Sequence, residues 1–412
     1  MVERFFARRS TVDRMRSGPL GPYVDEFAQW LAEQGYTRDI TSRKIRLVAD
    51  LSRWLARRRM DATDLNEQRL ESFLRQRRRI LPHYCGERPA LHQFLAQLRT
   101  LGVTPGPSPD AEHTELHRVL TTYTQYLVQE RALSPMTVKQ QVAYIRRFLC
   151  ERFGTTQVHC EALGPADIAA HLLQHNNTAS PRGPQAIATA LRTFLRFLYV
   201  RGVVGNNLAG AVPRMAHWHL AGVPKFLTAE QVESLLRGCD LGTALGRRDH
   251  AVLLLLARLG LRACELIRME LDDIDWTTGE LTVRGKAGQQ DRLPLPADIG
   301  EALAAYLHYD RPRCANRHLF VRMNAPHRGF RSSMAIHYIV SKALERANLN
   351  PAHKGARLLR QSLATNMLGH GATLSQIGEV LRHRSQDSTE LYAKVDVNRL
   401  RALARPWPGA EA

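Results

Sequence analysis

Seven polar residues in the C-terminal part of this 412-residue sequence follow one another in an order that suits chemistry on a phosphate. They are Arg262 and Glu265 in GLRACEL, Lys286 in RGKAGQ, Arg357 and Arg360 in GARLLRQSLAT, His383 in LRHRS and Tyr392 in TELYAKV. A guanidinium is planar and always charged, so it grips two non-bridging phosphate oxygens at once. Two of them neutralise the growing charge of a pentavalent transition state without a metal. A phenol, with an ordinary pKa of about 10, becomes a nucleophile at neutral pH only where such cations favour its ionised form. Taken singly, each residue also has a plain reading: Arg262 as a helix surface residue, Lys286 as a turn charge, His383 as a satisfied loop histidine and Tyr392 as a packed aromatic. The sequence has no nucleotide-binding glycine loop, no H-E-x-x-H and no G-x-S-x-G, which removes the commoner alternatives for this set.

The surrounding pattern predicts mostly helices. In LTAEQVESLLRGC, Thr228 and Gln231 stand at capping-box spacing. RRDHAVLLLLARLGLRACELIRM predicts a buried helix, a break at Gly260 and a second helix start, and ELTVRGKAGQQDRLPLP predicts a hairpin turning around residues 285–290. Helical periodicity returns from Gly300.

Upstream, the chain resembles itself. FAQWLAEQGYTRDITSRKIRLVADLSRWL (27–55) is similar to YTQYLVQERALSPMTVKQQVAYIRRFL (123–149), and HQFLAQLRTLGV (92–103) to RTFLRFLYVRGV (192–203), at offsets drifting from about 96 to 100. Apolar residues recur at three and four in both copies, predicting one module of about four amphipathic helices used twice, with Gly102 and Gly202 at equivalent helix ends. Basic residues fill the other faces, and Arg43, Lys44, Lys139, Arg146, Arg147, Arg192 and Arg196 are the candidates for tracking phosphates.

Composition agrees with a polyanionic partner. The chain carries 58 Lys and Arg against 39 Asp and Glu, a formal charge of +19, spread along its length. The cysteines at 85, 150, 160, 239, 264 and 314 form no C-x-x-C pair and read as reduced thiols of a cytoplasmic protein. No apolar run is long enough for a bilayer and no secretory signal opens the chain.

From about Leu227 to Val395 the chain resembles the catalytic domain of the tyrosine recombinase (phage integrase) family, with its G-L-R-x-x-E turn, hairpin lysine, H-x-L-R helix start and a histidine nine residues before the tyrosine. The second helical copy is similar to that family's core-binding domain. The resemblance implies a mainly α fold with a small β-sheet in the catalytic domain, preceded by two helical SAM-like core-binding modules, the whole forming a clamp on double-stranded DNA. The implied organisation is a basic segment 1–17, a module 18–104, a core-binding domain 113–213, a linker 214–226, a catalytic domain 227–395 and a tail 396–412 that docks on a neighbouring subunit.

By the same resemblance, Arg262 and Arg360 clamp the scissile phosphate, Lys286 protonates the departing 5′ oxygen, His383 hydrogen-bonds the phosphate, Tyr392 forms the 3′-phosphotyrosyl bond and Glu265 supports the site. No cofactor is implied, and four protomers on two duplexes are, together with accessory factors. Three places depart from the pattern: Arg357 stands where the family usually has histidine, Gln361 where histidine often follows the second arginine, and Arg382 where it has glycine before the second histidine. An arginine cannot exchange a proton at neutral pH. A type IB topoisomerase, acting as a monomer, and a non-catalytic DNA-binding accessory protein are the alternatives that the sequence leaves open.

Overall fold

The structure, a computed structural model, describes residues 1–79, 86–106, 114–154, 157–175, 183–214, 224–285, 289–385 and 387–395. They are mostly helical. The first half runs α1 (Arg9–Met15), α2 (Val24–Glu33), α3 (Arg38–Arg57), α4 (Glu67–Arg78), α5 (Glu87–Thr100), α6 (Glu115–Gln125), α7 (Pro135–Phe153), α8 (Pro165–His175) and α9 (Gly183–Val200).

The order α2 to α5 is repeated in α6 to α9, and the ends repeat too. Gly102 after α5 and Gly202 after α9 both have φ +70°. In each copy the next residue closes the same turn, Val103 N–H donating to Leu98 O and Val203 N–H to Leu198 O, both at 2.9 Å. This is the bond pattern of a glycine-terminated helix, in which the left-handed residue lets orphan carbonyls be satisfied. α7 starts with Pro135 behind Ser134, whose Oγ accepts from Thr137 N–H at 3.4 Å; such a cap contributes about 1 kcal/mol.

The chain groups into two compact units. One comprises Met1–Asp61, Gln76–Phe94 and Leu220–Ala412, the other Ala62–Arg75 and Leu95–His219. The stretch 18–104 is therefore divided between them. In the second unit Leu116, Leu120, Tyr123, Ile145, Phe148, Leu149, Ile168 and Phe194 belong to one hydrophobic core. In the first, α2 packs on α3, and Phe27 meets Phe94 edge-on with ring centroids 5.0 Å apart.

The rest of the first unit holds α10 (Ala229–Arg237), α11 (Ala244–Arg258) and α12 (Ala263–Arg268), strands β1 (Ile274–Asp275), β2 (Glu280–Arg284) and β3 (Gln290–Pro294), then α13 (Ala297–Ala305), α14 (Met334–Arg346), α15 (Ala356–Gly369), α16 (Leu374–Val380) and α17 (Asp387–Glu390). Thr228 and Gln231 form the capping box that opens α10. α11 is central, packing against α10, α13, α14 and α15, and its residues Ala251–Ala257 are all buried, as the unbroken apolar run requires. The sheet is antiparallel in the order β1-β2-β3, with Leu281 opposite Leu293 and Val283 opposite Asp291. Leu281 and Val283 are buried in the domain core, which sets the register because a one-residue slip would expose both.

The hairpin turn falls where the sequence placed it, and the short β1 is an addition that two residues could not announce. No helix among the described residues is long and apolar enough to cross a membrane, and Cys150, Cys160, Cys239, Cys264 and Cys314 are free. Lys286 and the tail 396–412, with its expected docking helix, lie outside the described residues.

Candidate active site

Four separate stretches of chain bring the expected residues together. Arg262 is the N-cap of α12, immediately after Leu261 and the left-handed Gly260 at φ +58°. A Cβ at Gly260 would lie 2.6 Å from Leu381 Cδ2, so only glycine lets this turn sit against the chain that leads to His383. Arg360 lies in the first half of α15 and is buried. His383 follows α16 in a turn rather than standing on a helix, and Tyr392 lies in the 3₁₀ turn Leu391–Val395 behind α17.

The two arginines are fixed by neighbouring backbone groups. Arg360 donates through Nη1 to Gly260 O at 2.5 Å and through Nη2 to Leu381 O. Arg262 donates through Nη2 to Arg382 O at 3.2 Å. Two consecutive carbonyls, those just before His383, are thus held by the two guanidiniums. Glu265 completes the frame: it accepts Arg262 N–H at 2.8 Å, Arg262 Nη1 at 2.7 Å and Arg382 Nη2 at 3.0 Å. Burial pushes the Glu265 carboxyl up, but the bonds from Arg262 and the charge of Arg382 overcome it and keep it below its ordinary value.

Arg382 is the residue that the sequence marked only as a missing glycine. Its φ of +55° explains why glycine suits the position, since a side chain there is strained. The side chain is 8% exposed, and its Nε and Nη1 make no hydrogen bond among the described residues, with Asp291 Oδ2 3.7 Å from Nε. Buried guanidinium N–H groups without acceptors are costly, and an anion would satisfy them.

His383 donates or accepts through Nδ1 with Thr389 Oγ1 at 2.7 Å, which leaves Nε2 as the nitrogen for a substrate. Its ring is parallel to that of Tyr392 within 3°, with centroids 6.4 Å apart. Burial, followed by the charges of Arg360, Arg262 and Arg382, brings the His383 pKa down to about 4, so the imidazole is neutral at pH 7. Burial and the same cations bring Arg360 down to about 10, still charged at neutral pH. Tyr392 is 4% exposed and shares a small apolar cluster with Ala364, Leu368, Ile377 and Leu381. Burial raises its phenol, while Arg360 and the exposed Arg357 pull it back.

The hairpin reaches the same place. Gly285 N–H donates to Gln289 O at 2.8 Å across its turn, and Arg384, next to His383, donates through Nε to Gln289 Oε1 at 2.9 Å. The residues between, Lys286 included, are outside the described residues.

Over its whole length the chain is 38% identical to y4rA, assigned as an integrase/recombinase of Sinorhizobium fredii, the match covering 97% of each chain. The chain belongs to the phage integrase family. That family's sequence profile matches residues 225–399, the stretch that holds every residue of this site. Tyrosine recombinase XerC of Oceanobacillus iheyensis is 30% identical over 70% of this chain and 94% of its own. Among solved structures, the fold of this integrase-family chain is similar to that of XerH bound to a palindromic difH substrate (TM-score 0.53, 16% identity, 81% of this chain and 93% of that one). It is also similar to a lambda integrase fragment bound to a core site (TM-score 0.51, 18% identity, 72% and 98%).

Of the other basic candidates, Arg43, Lys139, Arg146, Arg147 and Arg196 are exposed. Lys44 is not a free cation, because its Nζ donates to Gln93 Oε1 at 2.6 Å and sits 3.8 Å from the centre of the Tyr36 ring. Arg192 is half-buried and donates to Pro213 O at 2.5 Å, which makes it a strut of its own unit. Thr389 had no signal in the sequence. Arg382 had one, as an arginine in a glycine position.

Because Glu265 is the one fully buried carboxylate facing these guanidiniums, Glu265→Ala is expected to destabilise the unit by about 3–5 kcal/mol, the usual cost of leaving buried charge unpaired. The urea midpoint of the full chain measures this, and sodium sulfate should recover part of the loss by supplying an anion to the arginines. A variant with an unchanged midpoint would mean that the carboxylate does not hold the frame.

Proposed function

We propose that this protein is a site-specific DNA recombinase that cuts and rejoins strands through a 3′-phosphotyrosyl intermediate. The observation that carries the reading is the convergence of Arg262, Arg360, His383 and Tyr392, from four stretches of chain, around a buried cationic centre with unsatisfied donors on Arg382.

In the proposed reaction the scissile phosphodiester enters against Arg262 and Arg360, and His383 Nε2 hydrogen-bonds a non-bridging oxygen. Bound phosphate adds negative charge beside the histidine and stabilises its protonated form, so the ring gains donor character as substrate arrives. The Tyr392 phenol gives its proton to solvent and the phenolate attacks phosphorus; the bond to the 5′ oxygen breaks, and Lys286 supplies the proton to that oxygen. Rejoining reverses these steps with a 5′ hydroxyl as nucleophile. One phosphate ester replaces another, so no energy source or cofactor is consumed. Arg357 cannot take the phenol proton, but its charge favours the ionised phenol, a different route to the same end as the usual histidine.

Residues 113–213 are read as the core-binding domain and 18–104 as its duplicate, both SAM-like, with Lys139, Arg146, Arg147 and Arg196 on faces that meet phosphates. The +19 charge supports a DNA partner. Four protomers on two duplexes, helped by accessory factors, would complete the exchange for integration, excision or transposition, with the protein acting in the cytoplasm.

The test is a denaturing gel of protein with nicked DNA from the ends of its element, in EDTA. Wild type should give a covalent adduct and Tyr392→Phe none, with DNA binding retained in both; an adduct from Tyr392→Phe would refute the assignment. For Arg357→His, loss of the fixed positive charge that pulls the Tyr392 phenol down should move the pH–rate profile of cleavage to higher pH and slow the step at pH 7. An unmoved profile would show that the Arg357 charge does not act on Tyr392.

A further inference from the structure

In the second unit, which contains none of the residues of the proposed reaction, two buried histidines converge on one carboxylate. His171 and His175 are each 6% exposed and lie one turn apart on α8, with ring centroids at 4.5 Å. Glu151 reaches them from α7: its Oε2 is 2.8 Å from His171 Nδ1 and 2.9 Å from His175 Nε2. The donor atoms of the three side chains all lie within 4.8 Å of one another.

We propose that Glu151, His171 and His175 bind a divalent transition metal ion of the zinc class, which ties α7 to α8. Two imidazoles and a carboxylate are a donor set that zinc accepts, and a four-coordinate ion with ligands at about 2.0–2.2 Å needs its donors roughly 3.3 Å apart. The two carboxylate–imidazole spacings are shorter than this and all three donors lie within 4.8 Å of one another, so binding requires the carboxylate to retreat and the rings to adjust by small movements. Two histidines at i and i+4 already point to one side of α8, so the helix has prepaid most of the ordering that a metal site needs.

Phe148 lies edge-on to His171 at 5.1 Å and closes one side, whereas the Glu151 side chain is 31% exposed and leaves room for water as the fourth ligand. Arg147 now donates to Glu151 Oε1 at 2.8 Å. Its side chain is 56% exposed and free to turn outward when a cation takes its place. Metal binding would then free for phosphate the same Arg147 that the proposed DNA face contains, linking metal occupancy to the charge of that face.

The experiment uses the full chain, stripped of metal with a chelator and dialysed, in three forms: wild type, His175→Asn and Glu151→Gln. Zn²⁺ affinity is measured by competition with a chromophoric chelator, Co²⁺ by its visible ligand-field absorption, and thermal unfolding with and without Zn²⁺. His175 is buried and bonded to Glu151, so each form's metal-free melting temperature is measured first and the Zn²⁺-induced shift is read against it. Wild type should bind Zn²⁺, show the intense absorption of four-coordinate Co²⁺ and melt higher with Zn²⁺. Both variants should lose more than about 10-fold in affinity, together with the absorption and the melting shift. Equal Zn²⁺ affinity and equal melting shifts in all three forms would overturn the proposal, as would a wild type that does not bind. If a variant melts lower without metal, the Co²⁺ spectrum at low temperature still decides, since an unchanged spectrum removes those ligands from the site.

Discussion

The Arg360 guanidinium, buried and bonded to the carbonyls of Gly260 and Leu381, ties together the turn that carries Arg262 and the turn that carries His383. Those turns are more than a hundred residues apart in sequence, and a single side chain of α15 sets their spacing. Arg262 adds the second tie, to the carbonyl of Arg382, and Glu265 locks Arg262 and Arg382 to each other. The guanidiniums that would face the substrate of the proposed reaction are therefore already fixed in place, and such preorganisation makes electrostatic stabilisation effective.

The same arrangement has an electrostatic cost. Three guanidiniums share one fully buried carboxylate, and Asp291 stands only at ion-pair distance from Arg382. Burial, reinforced by that excess, holds the His383 imidazole neutral and makes the Arg360 guanidinium easier to deprotonate. In the proposed reaction a phosphodiester would bring the missing negative charge, so that substrate binding and relief of like-charge repulsion would be one event. Tyr392 sits where apolar packing and cations oppose each other. Packing on Leu368, Ile377 and Leu381 fixes its position, and the arginines offset what burial does to its acidity.

Much of this was legible in the sequence because the relevant signals were local. The capping box at Thr228, the break at Gly260, the hairpin and the apolar α11 depend on neighbours within a turn or two, and each stands where its pattern put it. The helices of the first half could be read for the same reason, with alike glycine turns at 102 and 202, although the stretch 18–104 is divided between the two units. What sequence could not supply were contacts made across long separations. Nothing near Lys44 announces that Tyr36 and Gln93 will engage it, nothing near His383 singles out Thr389, and the histidine pair of α8 gains its meaning only from Glu151 on another helix. His383 itself falls in a turn because Leu381 and Arg382 end α16, a boundary that helical periodicity leaves unmarked.

The most direct test of the cationic centre is an NMR pH titration of the His383 side chain, assigned by comparison with His383→Gln, without and with sulfate. Burial together with the arginine frame predicts a pKa of about 4 in the free protein, and the frame predicts a rise on adding the anion. A histidine that titrates near its ordinary value of about 6.5 and ignores sulfate would contradict the account, because the guanidiniums would then not surround it.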